Sequence, residues 1–175
     1  MRKAKPKLSK KKQPKSFEDL VKEIQSIKDC YKKSLDALET KDKADIKSIE
    51  GAFCGSVYLD GCQTGERVIG EKRWDYIICH DSKLYFVEVH SAQTKNITEL
   101  EGKAKMLKNF LDGEGSALKT MKDPGFSNIW LVSSGAKVDL RPKGIKLTGA
   151  PLNRYLASKG LMLYTKLEFP LKAKK

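Results

Sequence analysis

Apolar residues recur along the first quarter of the chain in alternating steps of three and four. The series starts at Phe17 and predicts an amphipathic helix that runs to about Thr40. Ser16, followed three residues later by Asp19, forms a capping box at its start. The charged stretch KDKADIKSIE then predicts a second helix that ends near Glu50.

Short strands are predicted next, over residues 56–59 and 67–70, and then two apolar runs in WDYIICHDSKLYFVEVH. If Asp81 and Ser82 form a two-residue turn, opposed residues of this hairpin have numbers that sum to 163. Asp75 then lies opposite Glu88 on the same face of the sheet. His80 is assigned to the turn.

Both faces of this hairpin are otherwise apolar, which is typical of strands in the middle of a sheet that is covered by helices. The segment NITELEGKAKMLKNFLDGEG supplies a helix, with Asn96 as N-cap, Glu99 at the capping-box position and Gly113 at its end. One side of it is apolar, at Ile97, Leu100, Ala104, Leu107 and Leu111.

A buried strand over residues 128–133 follows, and strand, helix, strand implies a right-handed parallel crossover. A helix in APLNRYLASKG and a last strand in LMLYTKLEF close the chain. The predicted fold class is therefore α/β, with a central mixed β-sheet flanked by helices.

The net charge of +13 is unevenly distributed. The first fifteen residues hold eight Lys or Arg, two prolines and no acid, so residues 1–15 are predicted to be a disordered basic tail on a single domain over 16–175. A basic tail on a basic domain favours nucleic acid as a partner, whereas a role in solubility alone is the alternative. No apolar run has the length of a membrane span. We expect no membrane partner and an intracellular protein, cytoplasmic or nucleoid-associated; a homodimer remains open.

The four cysteines form no C-x-x-C pair, which argues against a zinc ribbon or a redox dithiol of that kind. Cys79 lies in an apolar strand and Cys30 in a helical pattern. We expect both to be buried, reduced thiols.

Glu88 and His90 lie two residues apart in the strand KLYFVEVH and so share a face, on which Asp75 converges. Two opposed carboxylates repel each other unless a positive charge lies between them. Mg²⁺ is the simplest such cation, because it takes one or two carboxylates together with water and phosphate oxygens. His90 would touch a metal-bound water as general base or complete the coordination shell.

These residues resemble the motif of the PD-(D/E)XK nuclease superfamily, which carries an acid on one central strand and acid-x-lysine on the next. Asp75 in WDY and Glu88 with His90 in EVH match those positions, and the order of elements matches over roughly residues 45–135. The resemblance implies a restriction-endonuclease-like αβββαβ core, Mg or Mn as cofactor, and a metal site of Asp75, Glu88 and, from the leading helix, Glu50.

The chain departs from that motif chiefly in having His90 where the family has lysine. Histidine can be neutral at pH 7, unlike lysine. Three interpretations follow: His90 is the base or positions water in an active nuclease, a lysine such as Lys95, Lys103 or Lys105 supplies the missing charge, or the site has lost catalysis and kept binding. Two carboxylates and a histidine would also suit Mn²⁺, Fe²⁺ or Zn²⁺.

The function expected from the sequence is metal-assisted hydrolysis of phosphodiester bonds in DNA or RNA, with Asp75, Glu88 and His90 as catalytic residues. Lys95, Lys103 and Lys105 are the candidate nucleic-acid contacts, to the backbone rather than to bases. A catalytically silent nucleic-acid-binding or assembly module is the alternative, and an unrelated metal protein or interaction domain a third. Taken singly, Asp75 could be a solvated strand end and His90 a satisfied strand-end histidine.

Overall fold

The computed structural model describes residues 15–62, 73–126 and 128–171. The predicted strand over 67–70 and the predicted basic tail, apart from Lys15, lie outside these residues. The first half of the chain forms α1 (Phe17–Glu23), β1 (Tyr31–Lys32), α2 (Thr40–Lys43), β2 (Ile46–Ser48), β3 (Phe53–Tyr58), β4 (Tyr76–His80) and β5 (Lys83–His90). The second half forms α3 (Thr94–Asp112), a 3₁₀ helix (Ser116–Met121), β6 (Asn128–Val132), a 3₁₀ turn (Pro142–Gly144), α4 (Gly149–Ser158), β7 (Leu161–Tyr164) and β8 (Leu167–Phe169).

Six strands form one mixed sheet in the order β1-β3-β4-β5-β6-β7. The pairs from β1 to β5 are antiparallel, and β6 and β7 continue the sheet in parallel with β5. Strands β2 and β8 form a separate parallel pair. The prediction of an α/β fold with a central mixed sheet flanked by helices is confirmed.

The hairpin β4–β5 has the predicted register. Ile77 pairs with Phe86 and Cys79 with Leu84, so that each pair sums to 163. The turn residues Asp81 and Ser82 both have positive φ, of 46° and 62°. Two such residues give a turn whose twist matches that of the flanking strands, which fixes the register.

Both faces of the hairpin are buried, as predicted, but they are covered differently. One face packs under α1, α3 and α4 and holds Ile77, Cys79, Leu84 and Phe86. The other packs against the β2–β8 pair and holds Tyr76, Ile78, Tyr85 and Val87. Helices therefore cover one face, and a second small sheet covers the other.

The predicted helix from Phe17 to about Thr40 is wrong beyond its first two turns. The capping box of Ser16 and Asp19 is present, but the helix ends at Glu23 and Ile24 is extended. Ile24 and Ile27 are nevertheless fully buried, because consecutive tight turns carry them into the core. Burial of the apolar positions, rather than helical periodicity, is what this segment preserves.

The second predicted helix, ending near Glu50, is also wrong. One turn, α2, forms, and the chain then enters β2, in which Ile46 pairs with Leu167. That partner lies far along the chain, so local helix propensity gives way to a long-range strand pairing.

Helix α3 confirms the predicted apolar side and the predicted end at Gly113. Its N-cap lies three residues earlier than predicted. Gln93 is the N-cap, and Asn96 occupies the third helical position, where its side chain accepts from the Gln93 backbone N–H at 3.2 Å. Asn96 still caps the helix, although from inside it.

Strand β6 confirms the predicted parallel neighbour of β5, and α4 the predicted helix near the end of the chain. The single last strand predicted in LMLYTKLEF is instead two strands, β7 and β8, in different sheets. No helix in the described parts of the chain is both long enough and apolar enough to cross a membrane.

Cys30 and Cys62 form a disulfide, so the prediction of a reduced Cys30 is wrong. Cys30 lies in the turns that replace the predicted helix, and the bond ties them to the segment that follows β3. The prediction for Cys79 is confirmed, since it is a free and fully buried thiol.

Candidate functional site

Asp75 and Glu88 lie opposite each other at the open end of the β4–β5 hairpin. The Asp75 backbone N–H donates to Glu88 Oε2 at 3.1 Å, and the Val89 N–H donates to Asp75 Oδ2 at 2.9 Å. Each carboxylate thus accepts a hydrogen bond from the backbone of the neighbouring strand. The structure brings the two acids together as the register requires.

The positive charge between the two carboxylates comes from α3. Lys103 Nζ lies 2.5 Å from Glu88 Oε1 and 3.5 Å from Asp75 Oδ1. The Lys103 side chain is 12% exposed, that of Glu88 is 1% exposed and that of Asp75 is 18% exposed. We call this group the Asp75–Glu88–Lys103 triad. Of the three lysines considered from the sequence, this one reaches the acids.

Burial dominates the electrostatics of the triad. Burial and, to a lesser extent, the neighbouring Asp75 carboxylate raise the pKa of Glu88 to about 8 against the opposing effect of Lys103. Burial also raises the pKa of Asp75, although Lys103 opposes it. The pKa of Lys103 is raised, because the attraction of both carboxylates outweighs the cost of burying its charge. The two carboxyls therefore take up a proton more readily than exposed carboxyls do.

His90 lies at the end of β5, and its ring contacts Ser91. Its Nδ1 is 3.4 Å from both the Ser91 carbonyl and hydroxyl oxygens, and its own carbonyl accepts from Trp130 Nε1 at 3.2 Å. No recorded contact among the described residues joins its ring to Asp75 or Glu88. The predicted set of two carboxylates and a histidine is not assembled in this structure.

Glu50 lies at the other end of the hairpin. It is exposed in the loop after β2, where its carbonyl accepts from the Ser48 hydroxyl at 2.9 Å, and Ser48 in turn contacts His80. The five residues of β4 separate this loop from Asp75 by about 16 Å. The leading helix from which Glu50 was expected to reach the acids does not form, because residues 46–48 form β2, and the structure does not bring Glu50 to Asp75 and Glu88.

His80, which the sequence assigned to the turn, is the last residue of β4, directly before the turn, and is buried with 1% exposure. Its ring stacks on Phe169 and meets Phe53 edge-on. Its Nε2 lies 2.9 Å from Ser48 Oγ.

Lys95 and Lys105 are exposed on α3 and lie away from the triad. Lys95 is in the first turn of the helix. Lys105 is two residues beyond Lys103 and therefore about 200° around the helix axis. Both are free to meet a ligand at the surface, but neither supplies charge to the acids.

A polar cleft of about 230 Å³ opens beside Asp75. Asp42 also lines it and is nearly buried, and its carboxylate accepts from the Tyr76 hydroxyl at 2.8 Å. Nothing in the lysine-rich sequence around Asp42 distinguishes it, and its place depends on the packing of α2 against the sheet. The lining includes Glu39, Asp42, Tyr58, Asp75, Ser133 and Ser134.

Two carboxylates with room for water suit Mg²⁺, which needs few protein ligands. Within residues 15–62, 73–126 and 128–171 there is no group of three or more His, Cys, Asp or Glu that could hold a metal ion. A dedicated site of three protein ligands for Zn²⁺ or Fe²⁺ is thus absent from this part of the chain. The donor set fits a hard cation that shares its shell with water and phosphate.

No protein-family model matches the chain, and neither a curated protein nor a solved structure was found to match it. The chemistry of the site therefore has to be argued from the geometry of its own residues.

Proposed function

We propose that the chain is a divalent-metal-dependent nuclease that hydrolyses phosphodiester bonds, with the Asp75–Glu88–Lys103 triad as its active site. The observation that carries the proposal is the position of Lys103 Nζ, within 2.5 Å of Glu88 and 3.5 Å of Asp75. In the motif that the sequence resembles, a lysine follows the second acid by two residues. Here α3 supplies an equivalent charge from outside the strand.

The topology supports a restriction-endonuclease-like core. A helix (α1), three antiparallel strands (β3, β4 and β5), a helix (α3) and a parallel strand (β6) occur in this order, although β1, α2 and β2 lie between α1 and β3, and the 3₁₀ helix lies between α3 and β6. The two acids lie at the open end of the second and third of these strands. This placement of the acids supports the proposed core.

Asp75 and Glu88 would hold the metal, Mg²⁺ or Mn²⁺. A bound divalent ion polarises the phosphate and lowers the pKa of a water ligand. Lys103 keeps a cation beside Glu88, where it can attract the scissile phosphate and orient the attacking water through its free N–H groups. The hydrogen bonds from Val89 and from the Asp75 backbone hold the two carboxylates in position.

His90 is proposed to have at most an auxiliary role, because its ring contacts Ser91. The polar cleft beside Asp75 provides space for water or for a sugar-phosphate group. Exposed lysines such as Lys95 and Lys105, together with the net charge of +13, would bind the nucleic-acid backbone without reading its sequence.

One observation favours a catalytically silent nucleic-acid-binding or assembly module as the second candidate. Each of the four carboxylate oxygens of Asp75 and Glu88 already lies near a backbone or lysine N–H. A triad satisfied in this way can stabilise the fold without any metal. The two candidates therefore differ in whether the acids bind a divalent cation.

The test is cleavage of plasmid DNA, single-stranded DNA and RNA in Mg²⁺, in Mn²⁺ and in EDTA. Wild type should cut one of these substrates with metal and not in EDTA. Asp75→Asn, Glu88→Gln and Lys103→Met should each lower the rate about a hundredfold or more. Lys108→Met is the matched control, because Lys108 is an exposed lysine of α3 that pairs with Asp112.

Calorimetric titration with Mg²⁺ and Mn²⁺ separates the two candidates when no cleavage is seen. If wild type binds metal and Glu88→Gln does not, the triad is a metal site, and other nucleic-acid substrates are then tested. No cleavage and no metal binding, with salt-sensitive DNA binding, would overturn the nuclease and favour the binding module. Cleavage that all three variants retain would exclude the triad as the active site.

A further inference from the structure

A bulge in the β3–β4 pairing brings two cysteines together, away from the triad. The register shifts between Phe53 and Gly55, so that Gly55 pairs with Cys79 and Cys54 is the extra residue of the bulge. A bulge places its extra residue beside the residue that its neighbour opposes, so Cys54 lies next to Cys79 across the two strands. The two thiols contact each other through a side-chain hydrogen bond.

The bulge is held in place by Tyr31. Its ring packs over Gly55, where an added Cβ would lie 2.4 Å from Tyr31 Cε2. The Tyr31 hydroxyl donates to the Cys54 carbonyl oxygen at 2.9 Å. The position of Cys54 next to Cys79 is therefore fixed by packing and by a hydrogen bond.

The two thiols differ in access to solvent. Cys54 is exposed and Cys79 is fully buried, yet both line the same surface groove of about 810 Å³, together with Lys15, Phe17 and Met121. A small molecule in this groove would meet Cys54 first and would find Cys79 directly behind it.

The difference in burial assigns different roles to the two sulfurs. Cys54 Sγ is exposed and accepts a hydrogen bond from the Ser82 backbone N–H at 3.2 Å. Burial and the contact with Cys54 raise the pKa of the Cys79 thiol well above its usual range. Cys54 is thus suited to attack, and Cys79 to remain protonated until Cys54 has reacted.

We propose that Cys54 and Cys79 form a redox-active pair that reduces low-molecular-weight disulfides of the glutathione class. The Cys54 thiolate attacks one sulfur of the disulfide, the S–S bond breaks, and the departing thiolate takes up the proton that Cys54 gave to solvent. Cys79 then loses its proton and attacks Cys54 Sγ, and a second small thiol leaves. Two protein thiols are oxidised to one disulfide, and one small disulfide is reduced to two thiols.

The Cys30–Cys62 disulfide provides an internal control. It is already formed, and neither cysteine lines the groove of Cys54 and Cys79. Its bond should persist through the experiment, so that only the other two cysteines change state.

The experiment uses the full chain with Cys54 and Cys79 as reduced thiols. The protein is incubated with oxidised glutathione, its remaining thiols are blocked with iodoacetamide, and tryptic peptides are analysed without reduction. Wild type should release two molecules of glutathione per chain and show the peptide that contains Cys54 linked to the peptide that contains Cys79. In the untreated folded chain, iodoacetamide should modify Cys54 at least about tenfold faster than Cys79.

Two variants separate the steps. Cys79→Ala should stop at a stable mixed disulfide between Cys54 and glutathione, with one molecule released, and Cys79→Val serves if the alanine variant does not fold. Cys54→Ser should leave Cys79 unmodified. The proposal is overturned if wild type keeps the mixed disulfide, if neither thiol reacts, or if Cys79 is modified in Cys54→Ser as fast as Cys54 is in wild type.

Discussion

The two ends of the β4–β5 hairpin both bury titratable side chains, but they do so by different means. At the turn end, His80 stacks on Phe169 and lies within hydrogen-bonding distance of Ser48, and residues of the adjoining turn and loop complete the contacts. At the open end, the charges of Asp75 and Glu88 are balanced by Lys103, a residue of α3 that lies fifteen positions after Glu88 in the chain. The turn end is packed by rings, whereas the open end holds charge beside a polar cleft.

This difference separates the proposed hydrolytic site from the packing around His80. A histidine enclosed by two aromatic rings has little room for a ligand. Two buried carboxyls whose pKa values are raised are typical of a functional site. Our proposal therefore places the hydrolytic chemistry at the open end, and we expect changes at His80 or at its partner Ser48 to alter stability alone.

The largest expected effect on stability comes from Lys103→Met. Removing one partner of a buried ion pair should lower the free energy of unfolding by about 3 kcal/mol, toward the lower end of such losses, because Glu88 can take up a proton. Urea unfolding in EDTA measures this. The double variant Glu88→Gln/Lys103→Met should recover most of the loss; a double variant as unstable as the single one would mean that Lys103 stabilises by packing and not by pairing.

A pH titration compares the charged end with its neutral mimic, Glu88→Gln. A carboxyl whose pKa is raised by folding stabilises the fold while it is protonated. Its contribution is complete below about pH 4.5 and is lost as the pH rises through about 8. Without metal, the free energy of unfolding of wild type should therefore fall by on the order of 2 kcal/mol more than that of Glu88→Gln between pH 5 and pH 9. Thermal or urea unfolding over this range checks it; parallel curves would contradict the raised pKa.

At the turn end, Ser48→Ala should cost about 1 to 2 kcal/mol. The substitution leaves His80 Nε2 without its 2.9 Å partner and removes the hydroxyl that contacts the Glu50 and Gly51 carbonyls. Urea unfolding gives the loss, and cleavage rates measured well below the unfolding transition should match those of wild type. A hundredfold drop in the cleavage rate of a folded Ser48→Ala variant would show that the turn end contributes to cleavage, contrary to the comparison.

The smallest effect is expected from Lys108→Met. Its ion pair with Asp112 is exposed on both sides, so the free energy of unfolding should change by less than about 0.5 kcal/mol. Urea unfolding measures this change, and Lys103→Met is measured under the same conditions for comparison. Equal losses at Lys103 and Lys108 would remove the distinction between the buried and the exposed lysine of α3.

Short-range patterns in the sequence predicted the parts of the site that depend on neighbouring residues. The turn at Asp81 and Ser82 fixed the pairing of Asp75 with Glu88, and the apolar side of α3 was correct at each of its five positions. The same reasoning failed for residues 24–40 and for Glu50, because turns and a distant strand can bury the same apolar residues that a helix would bury.

The sequence did not indicate which of Lys95, Lys103 and Lys105 contacts the acids. It also did not predict that His90 contacts Ser91, or that Cys30 and Cys62 form a disulfide. Each of these depends on how one element packs against another, which local periodicity does not contain. The sequence by itself determined the hairpin, its register and its two apolar faces, since a two-residue turn and alternating side chains are local. Only the tertiary structure decided which charge neutralises the two acids, because that charge arrives on a helix that is positioned by the core beneath it.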